Sequence, residues 1–175
     1  MELAAAAPRT LLITGAYGTG KTTLAAEIAE LLADHEIPCA AIDLDWLGWF
    51  WLPEKREHTV NDIVVANLRA LADTYAKAGV ERLILAGTIR TRDELEQLAA
   101  VVGQPLRVVQ LTVSLNEIAR RLAADALSSR GDDLARSATE PNAGAEIADL
   151  MLANEGDIGE VAERVAGWLG WLSGN

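Results

Sequence analysis

Gly15 to Thr23, GAYGTGKTT, lies between an apolar run, TLLIT (Thr10–Thr14), and a helix-period segment, TTLAAEIAELLADH. It fits G-x-x-x-x-G-K-[ST], with Gly15, Gly20, Lys21 and Thr22 at the fixed positions. Main-chain N–H groups can converge on an oxygen-rich anion only where glycines permit unusual backbone angles and no side chain intervenes. The free N–H groups and dipole at the start of the following helix favour the same anion. The stretch from Gly15 through Ala16, Tyr17, Gly18, Thr19, Gly20, Lys21, Thr22 and Thr23 therefore reads as a cradle for the phosphates of a nucleoside triphosphate. Lys21 would bridge the β- and γ-phosphates and act in catalysis, and the Thr22 hydroxyl would ligate Mg²⁺. The bland alternative is a tight glycine-rich turn from strand to helix, with an exposed lysine.

Composition bounds the rest. The 175 residues carry 15 Lys and Arg against 26 Asp and Glu, a formal net charge of −11, and half of them are apolar. Such a chain is globular, and its length suits one domain over 1–175. An acidic protein repels phosphate backbones at long range, so no nucleic-acid partner is expected, although one pocket can still hold a phosphate by local donors. The single cysteine, Cys39, excludes an intrachain disulfide, and with only His35 and His58 no Cys/His metal spacing exists. The N-terminal MELAAAAPRT has neither the charge nor the apolar length of a secretory signal or membrane span. A cytoplasmic protein without a membrane partner is expected; the oligomeric state is not legible.

Apolar runs alternate with helix-period segments, the pattern of βαβ units around a parallel sheet. Strands are expected at Thr10–Thr14, Pro38–Asp43, Arg82–Ala86, Leu106–Thr112 and Ile147–Ala153. Helices are expected at Gly20–Asp34, Thr59–Ala78, from Thr91 to Val102, from Ser114 to Leu127, and at Ile158–Leu172. Thr91-Arg-Asp-Glu94 and Ser114-Leu-Asn-Glu117 read as capping boxes, and Gly79 and Gly103 as helix ends. Residues 128–143, SSRGDDLARSATEPNA, are polar and rich in turn formers, the character of a lid loop.

The early phosphate loop, the Asp-x-Asp after the second strand (AIDLDW) and the C-terminal ADLMLANEGDIGEVAERVAGWLGW resemble the small-molecule P-loop kinases, among them the shikimate, gluconate and adenylylsulfate kinases and the chloramphenicol phosphotransferase. The resemblance implies a three-layer α/β fold with a five-stranded parallel sheet in order 2-3-1-4-5, helices on both faces, and a lid. It implies ATP and Mg²⁺ as cofactors, with Asp43 facing the metal and Asp45 holding the acceptor hydroxyl and taking its proton. It also implies that lid arginines, here Arg130 and Arg136, act on the transferring phosphate. Arg130 would also stack on the nucleotide, and the segment from Asn154 would cradle the adenine.

The residues themselves point the same way. Both acids come at the C-terminal end of a parallel strand, where ligands bind in open α/β sheets, and acids two apart on an extended strand share one side. A capping or solvating role for either acid stays open. Arg90 and Thr88 follow the third strand at the same edge and could contact the acceptor. Arg120 and Arg121 could serve the phosphate or form a solvated helix face. No acid ends the third strand, so Mg²⁺ would depend on Thr22 and Asp43. Three of the five tryptophans, Trp46, Trp49 and Trp51, fall beside Asp45 with Phe50. They read either as a packing cluster or as an acceptor pocket, with Trp46 and Trp49 as its candidate residues. Trp168 and Trp171 read as packing residues of the last helix.

The leading expectation is a kinase moving the γ-phosphoryl group of ATP to a hydroxyl of a small molecule. A nucleotide or nucleoside kinase and a non-kinase ATP-binding switch or ATPase module are the alternatives.

Overall fold

A computed structural model describes residues 8–49, 60–103, 106–124 and 144–172. Arg130, Arg136 and the rest of the 128–143 segment, together with Phe50, Trp51 and Thr59, lie outside the described residues, as does the side chain of Arg121.

The elements run β1 (Thr10–Gly15), α1 (Lys21–Asp34), β2 (Cys39–Asp43), α2 (Leu44–Leu47), α3 (Val60–Ala78), β3 (Arg82–Ala86), α4 (Arg92–Val102), β4 (Leu106–Thr112), α5 (Leu115–Ala124), β5 (Leu150–Ala153) and α6 (Ile158–Trp168). The five strands form one sheet in order β2-β3-β1-β4-β5, and every pairing is parallel. Order and class are those expected from the sequence.

The period of two in a strand divides the central residues between two cores. Leu11 and Ile13 of β1 pack with Leu24, Ile28 and Leu32 of α1 and with Val161 and Val165 of α6. Leu12, between them, faces the other side, with Leu68 of α3, Leu98 of α4 and Val108 of β4. Because both faces of β1 are covered, its sequence is a continuous apolar run rather than an alternating one. This fixes β1 at the centre of the sheet and delivers Gly15 to its C-terminal edge.

Four local readings need correction. The second strand stops at Asp43, and Asp45 lies in α2, so the two acids do not share one side of an extended strand. The reason is local: the Asp43 carboxylate accepts from the N–H groups of Asp45 (2.9 Å) and Trp46 (3.4 Å) and caps a short helix. The last strand begins at Leu150, not Ile147. Ala145–Ile147 is a 3-10 turn, and Asp149 opens the edge ladder by accepting from the Val108 N–H through its carboxylate (2.8 Å). The Thr91 capping box forms in full. At Ser114 only half of one forms, because the Ser114 N–H is taken by Glu155 (2.9 Å) and Glu117 grips Arg120. Finally, the C-terminal helix ends at Trp168, which is 41% exposed, while Trp171 alone is buried and donates its indole N–H to the Pro8 carbonyl (2.7 Å).

One polar residue in the apolar β1 ties the sheet edge together. The buried Thr14 hydroxyl donates to the Ile89 carbonyl and accepts from the Ile89 N–H, both at 3.1 Å. That clamp fixes the loop after β3, which carries Thr88 and Arg90, against the end of β1. Replacing Thr14→Val keeps the shape but removes both partners of a part-buried peptide. It should cost about 1–3 kcal/mol in denaturant unfolding. Thr14→Ser should recover most of that loss, and a Thr14→Val protein as stable as the parent would contradict the clamp.

Candidate functional site

β1 ends in a glycine because of its neighbour. Gly15 lies beside Leu111 of β4, and a Cβ on Gly15 would run into the Leu111 carbonyl oxygen; its φ of +138° also excludes ordinary side chains. At the far end of the loop Gly20, at φ +91°, turns the chain into α1. Between them Thr19 closes the loop on itself, its hydroxyl donating to the Ala16 carbonyl (2.9 Å). Asn154, buried at the end of β5, reaches across and donates to the Thr19 carbonyl (2.8 Å).

Lys21 is not the exposed lysine of a plain turn. It is 7% exposed and donates to the carbonyls of Gly15 (3.2 Å) and Ala16 (3.0 Å). Burial pulls its pKa below the ordinary lysine value; the charges of Asp45 and Asp43 oppose that shift and Arg90 reinforces it. A buried ammonium in a cradle of main-chain groups is suited to a polyanion, which would supply the counter-charge that burial removes.

Thr22 and Asp43 meet. The Thr22 hydroxyl donates to Asp43 Oδ2 at 2.6 Å, while Oδ1 of the same carboxylate caps α2. One oxygen therefore orients the group and the other is presented beside the phosphate loop. Asp43 belongs to β2, separated from β1 by β3, and β3 ends in the small residues Ala86 and Gly87. A hydroxyl and a carboxylate at this contact fit Mg²⁺, which keeps several waters and takes few protein ligands beside phosphate oxygens. They do not form an all-protein cage: among the described residues no group of three His, Cys, Asp or Glu is placed to hold a metal.

A cleft of about 490 Å³ opens over this loop, lined among others by Tyr17, Lys21, Thr22, Asp45, Asn154 and Ile158. Asp45 is thus brought to the cleft by α2 rather than by a strand. The loop after β3 is sewn to the same place. Beyond the Ile89 clamp, the Thr88 hydroxyl donates to the Gly15 carbonyl (3.4 Å), and a Cβ on Gly87 would crowd Leu44, the residue between the two acids. Arg90 is exposed, and its charge acts on Lys21. Trp46 and Trp49 are 71% and 74% exposed, which excludes a buried packing cluster for these two. Arg120 is a helix-face residue, doubly bonded to Glu117 at 2.7 Å.

Sequence reasoning placed Asn154 at the nucleotide by its backbone. In the structure its N–H joins the sheet ladder to Thr112 and its side chain braces the loop. Thr14 was missed; a threonine at the ligand-edge end of an apolar strand was the available signal. Gly87 is legible as part of the loop at the ligand edge, but its close approach to Leu44 is not.

The AAA domain family profile matches residues 11–143. This chain belongs to the AAA domain family. No curated protein matches it. The fold of this AAA domain is that of P-loop kinases. It is similar to a shikimate kinase from Bacteroides thetaiotaomicron (20% identity, 94% of this chain and 99% of that one, TM-score 0.64). It is similar to a gluconokinase from Sinorhizobium meliloti (18%, 95% and 94%, 0.62). It is also similar to the APS kinase of Mycobacterium tuberculosis, solved with AMPPNP and APS (20%, 93% and 97%, 0.60). No helix among the described residues of the AAA domain is long and apolar enough to cross a membrane.

The Lys21 contacts yield a test. If Lys21 is removed, the Ala16 carbonyl keeps Thr19 and the Gly15 carbonyl keeps Thr88, so neither is orphaned. Lys21→Met should leave the melting temperature of the nucleotide-free AAA domain within a few degrees, or raise it. It should weaken ADP binding, measured calorimetrically with magnesium, by about 1.5–3 kcal/mol, the usual worth of a charged hydrogen bond. Unchanged ADP affinity would remove Lys21 from the site.

Proposed function

We propose that this protein is a kinase that transfers the γ-phosphoryl group of ATP, with Mg²⁺, to a hydroxyl group of a small molecule. The observation that carries the reading is the meeting of Lys21, the Thr22–Asp43 contact and Asp45 at one edge of the sheet. An anion cradle alone fits any nucleotide-binding protein. A second carboxylate on the same cleft, beside an open aromatic surface, is what an acceptor hydroxyl requires.

Phosphoryl transfer depends on position and charge more than on covalent chemistry by the protein. The loop amides and Lys21 hold the phosphate oxygens, and Lys21 offsets charge on the transferring group. Thr22 and Asp43 would hold Mg²⁺, which would supply charge neutralisation at the phosphates. Asp45 orients the acceptor hydroxyl and accepts its proton as the new O–P bond forms and the bond to the leaving ADP breaks. Arg90, exposed after β3 and close enough for its charge to act on Lys21, would contact the acceptor. Arg130 and Arg136 are assigned to the transferring phosphate on the sequence pattern.

Asp45 is an exposed helical carboxylate whose charge also acts on Lys21. Asp45→Asn should lower acceptor-dependent ADP release by roughly a hundredfold or more, in the range of general acid–base contributions. Calorimetric ADP affinity should change far less, by no more than about tenfold, since the influence of Asp45 on the cradle runs through its charge on Lys21. Equal transfer rates in that variant would remove the proposed role of Asp45.

A further inference from the structure

The acceptor surface has a chemical character of its own, and reading it rests on the kinase assignment above. Trp46 and Trp49 are three positions apart, their ring centroids 6.1 Å from each other and their planes tilted by 55°. Both rings are mostly exposed, immediately after Asp45. A pair of open indoles is a surface prepared for a ligand rather than a packing accident when its support is rigid.

The support is rigid. Asp43 caps the start of α2, Leu44 is buried against Gly87, and the Leu47 carbonyl accepts from the Asn67 side chain of α3 (2.9 Å). The Trp49 N–H donates to the Trp46 carbonyl (3.3 Å), which holds the second indole to the first. Four residues of helix are thus tied at both ends and along one side, and the indoles are pre-positioned.

Among the described residues the platform itself carries carboxylates, with Asp43 and Asp45 at its start. Of the described cations at this edge, Lys21 is buried against the Gly15 and Ala16 carbonyls, and Arg90 is exposed after β3, where its charge opposes that of Lys21. The whole chain carries −11. An anionic acceptor would approach two carboxylates across an acidic surface, whereas an ammonium would find the negative faces of two indoles and a favourable field.

We propose that the acceptor is a hydroxylated amine, which lays its ammonium group against Trp46 and Trp49 and turns its hydroxyl toward Asp45. The amine is a recognition element only; the phosphoryl group goes to oxygen.

The test is ADP release by the full chain with MgATP and three acceptor pools of similar size. These are hydroxylated amines (choline and glucosamine among them), uncharged polyols, and hydroxy acids. The amine pool should raise release at least about tenfold over the acceptor-free rate, with the other pools near that rate. Trp46→Ala and Trp49→Ala should each raise KM for the active amine by roughly twofold to fivefold, the worth of a cation–π contact at an exposed site. KM for ATP should stay within about twofold, and Trp→Phe at either position should restore much of the amine affinity. Release driven by polyols or hydroxy acids, or an amine KM indifferent to both tryptophans, overturns the amine assignment and leaves the kinase reading standing. No release from any pool by a protein that binds ADP overturns both.

Discussion

A lysine ammonium held away from water is the constraint around which the ligand-binding edge of this structure is arranged. Lys21 is buried, and among the described residues its charge is met by main-chain carbonyls and by carboxylates at a distance. A buried charge is costly unless it is paired. The loop tolerates it because every nearby element is tied to that loop: β4 through the close approach at Gly15, β5 through Asn154, and the β3 loop through Thr88. The covered faces of β1 supply the apolar burial that holds this edge in place.

The second acid site follows from the order of the strands. β3 lies between β1 and β2 and ends in small residues, and the carboxylate that reaches Thr22 comes from β2. Asp43 then does two things with its two oxygens, touching the phosphate loop with one and starting α2 with the other. That helix delivers Asp45 to the cleft and leads into the open indole pair, Trp46 on its last turn and Trp49 just past its end. A change at Asp43 would therefore disturb the Thr22 contact and the start of α2 together.

Much of this was legible in the sequence. The Gly-Lys-Thr spacing located the loop because its chemistry is carried by residue type at fixed intervals, and the apolar runs located the strands because a sheet covered on both faces needs them. The strand order came from resemblance to the P-loop kinases and not from periodicity. What escaped was tertiary or local competition. Asp43 caps a short helix at the strand end, which puts Asp45 on α2 rather than in line with an extended strand. The side-chain donation by Asn154 joins residues far apart in the chain, and the Thr14–Ile89 clamp joins β1 to the end of β3. The exposure of Trp46 and Trp49 removes, for these two, the packing alternative that the sequence left open.

Membership of the AAA domain family and the P-loop kinase fold accord with a protein that binds nucleotide at this loop. They leave the fate of the γ-phosphate to chemistry. The most direct measurement follows that phosphorus by ³¹P NMR, with MgATP, the purified protein and a protein-free extract of cell metabolites. Transfer to a hydroxyl predicts a new phosphate-monoester resonance growing in step with ADP. Orthophosphate and ADP alone, with or without extract, would contradict the account and leave a nucleotide hydrolase in its place.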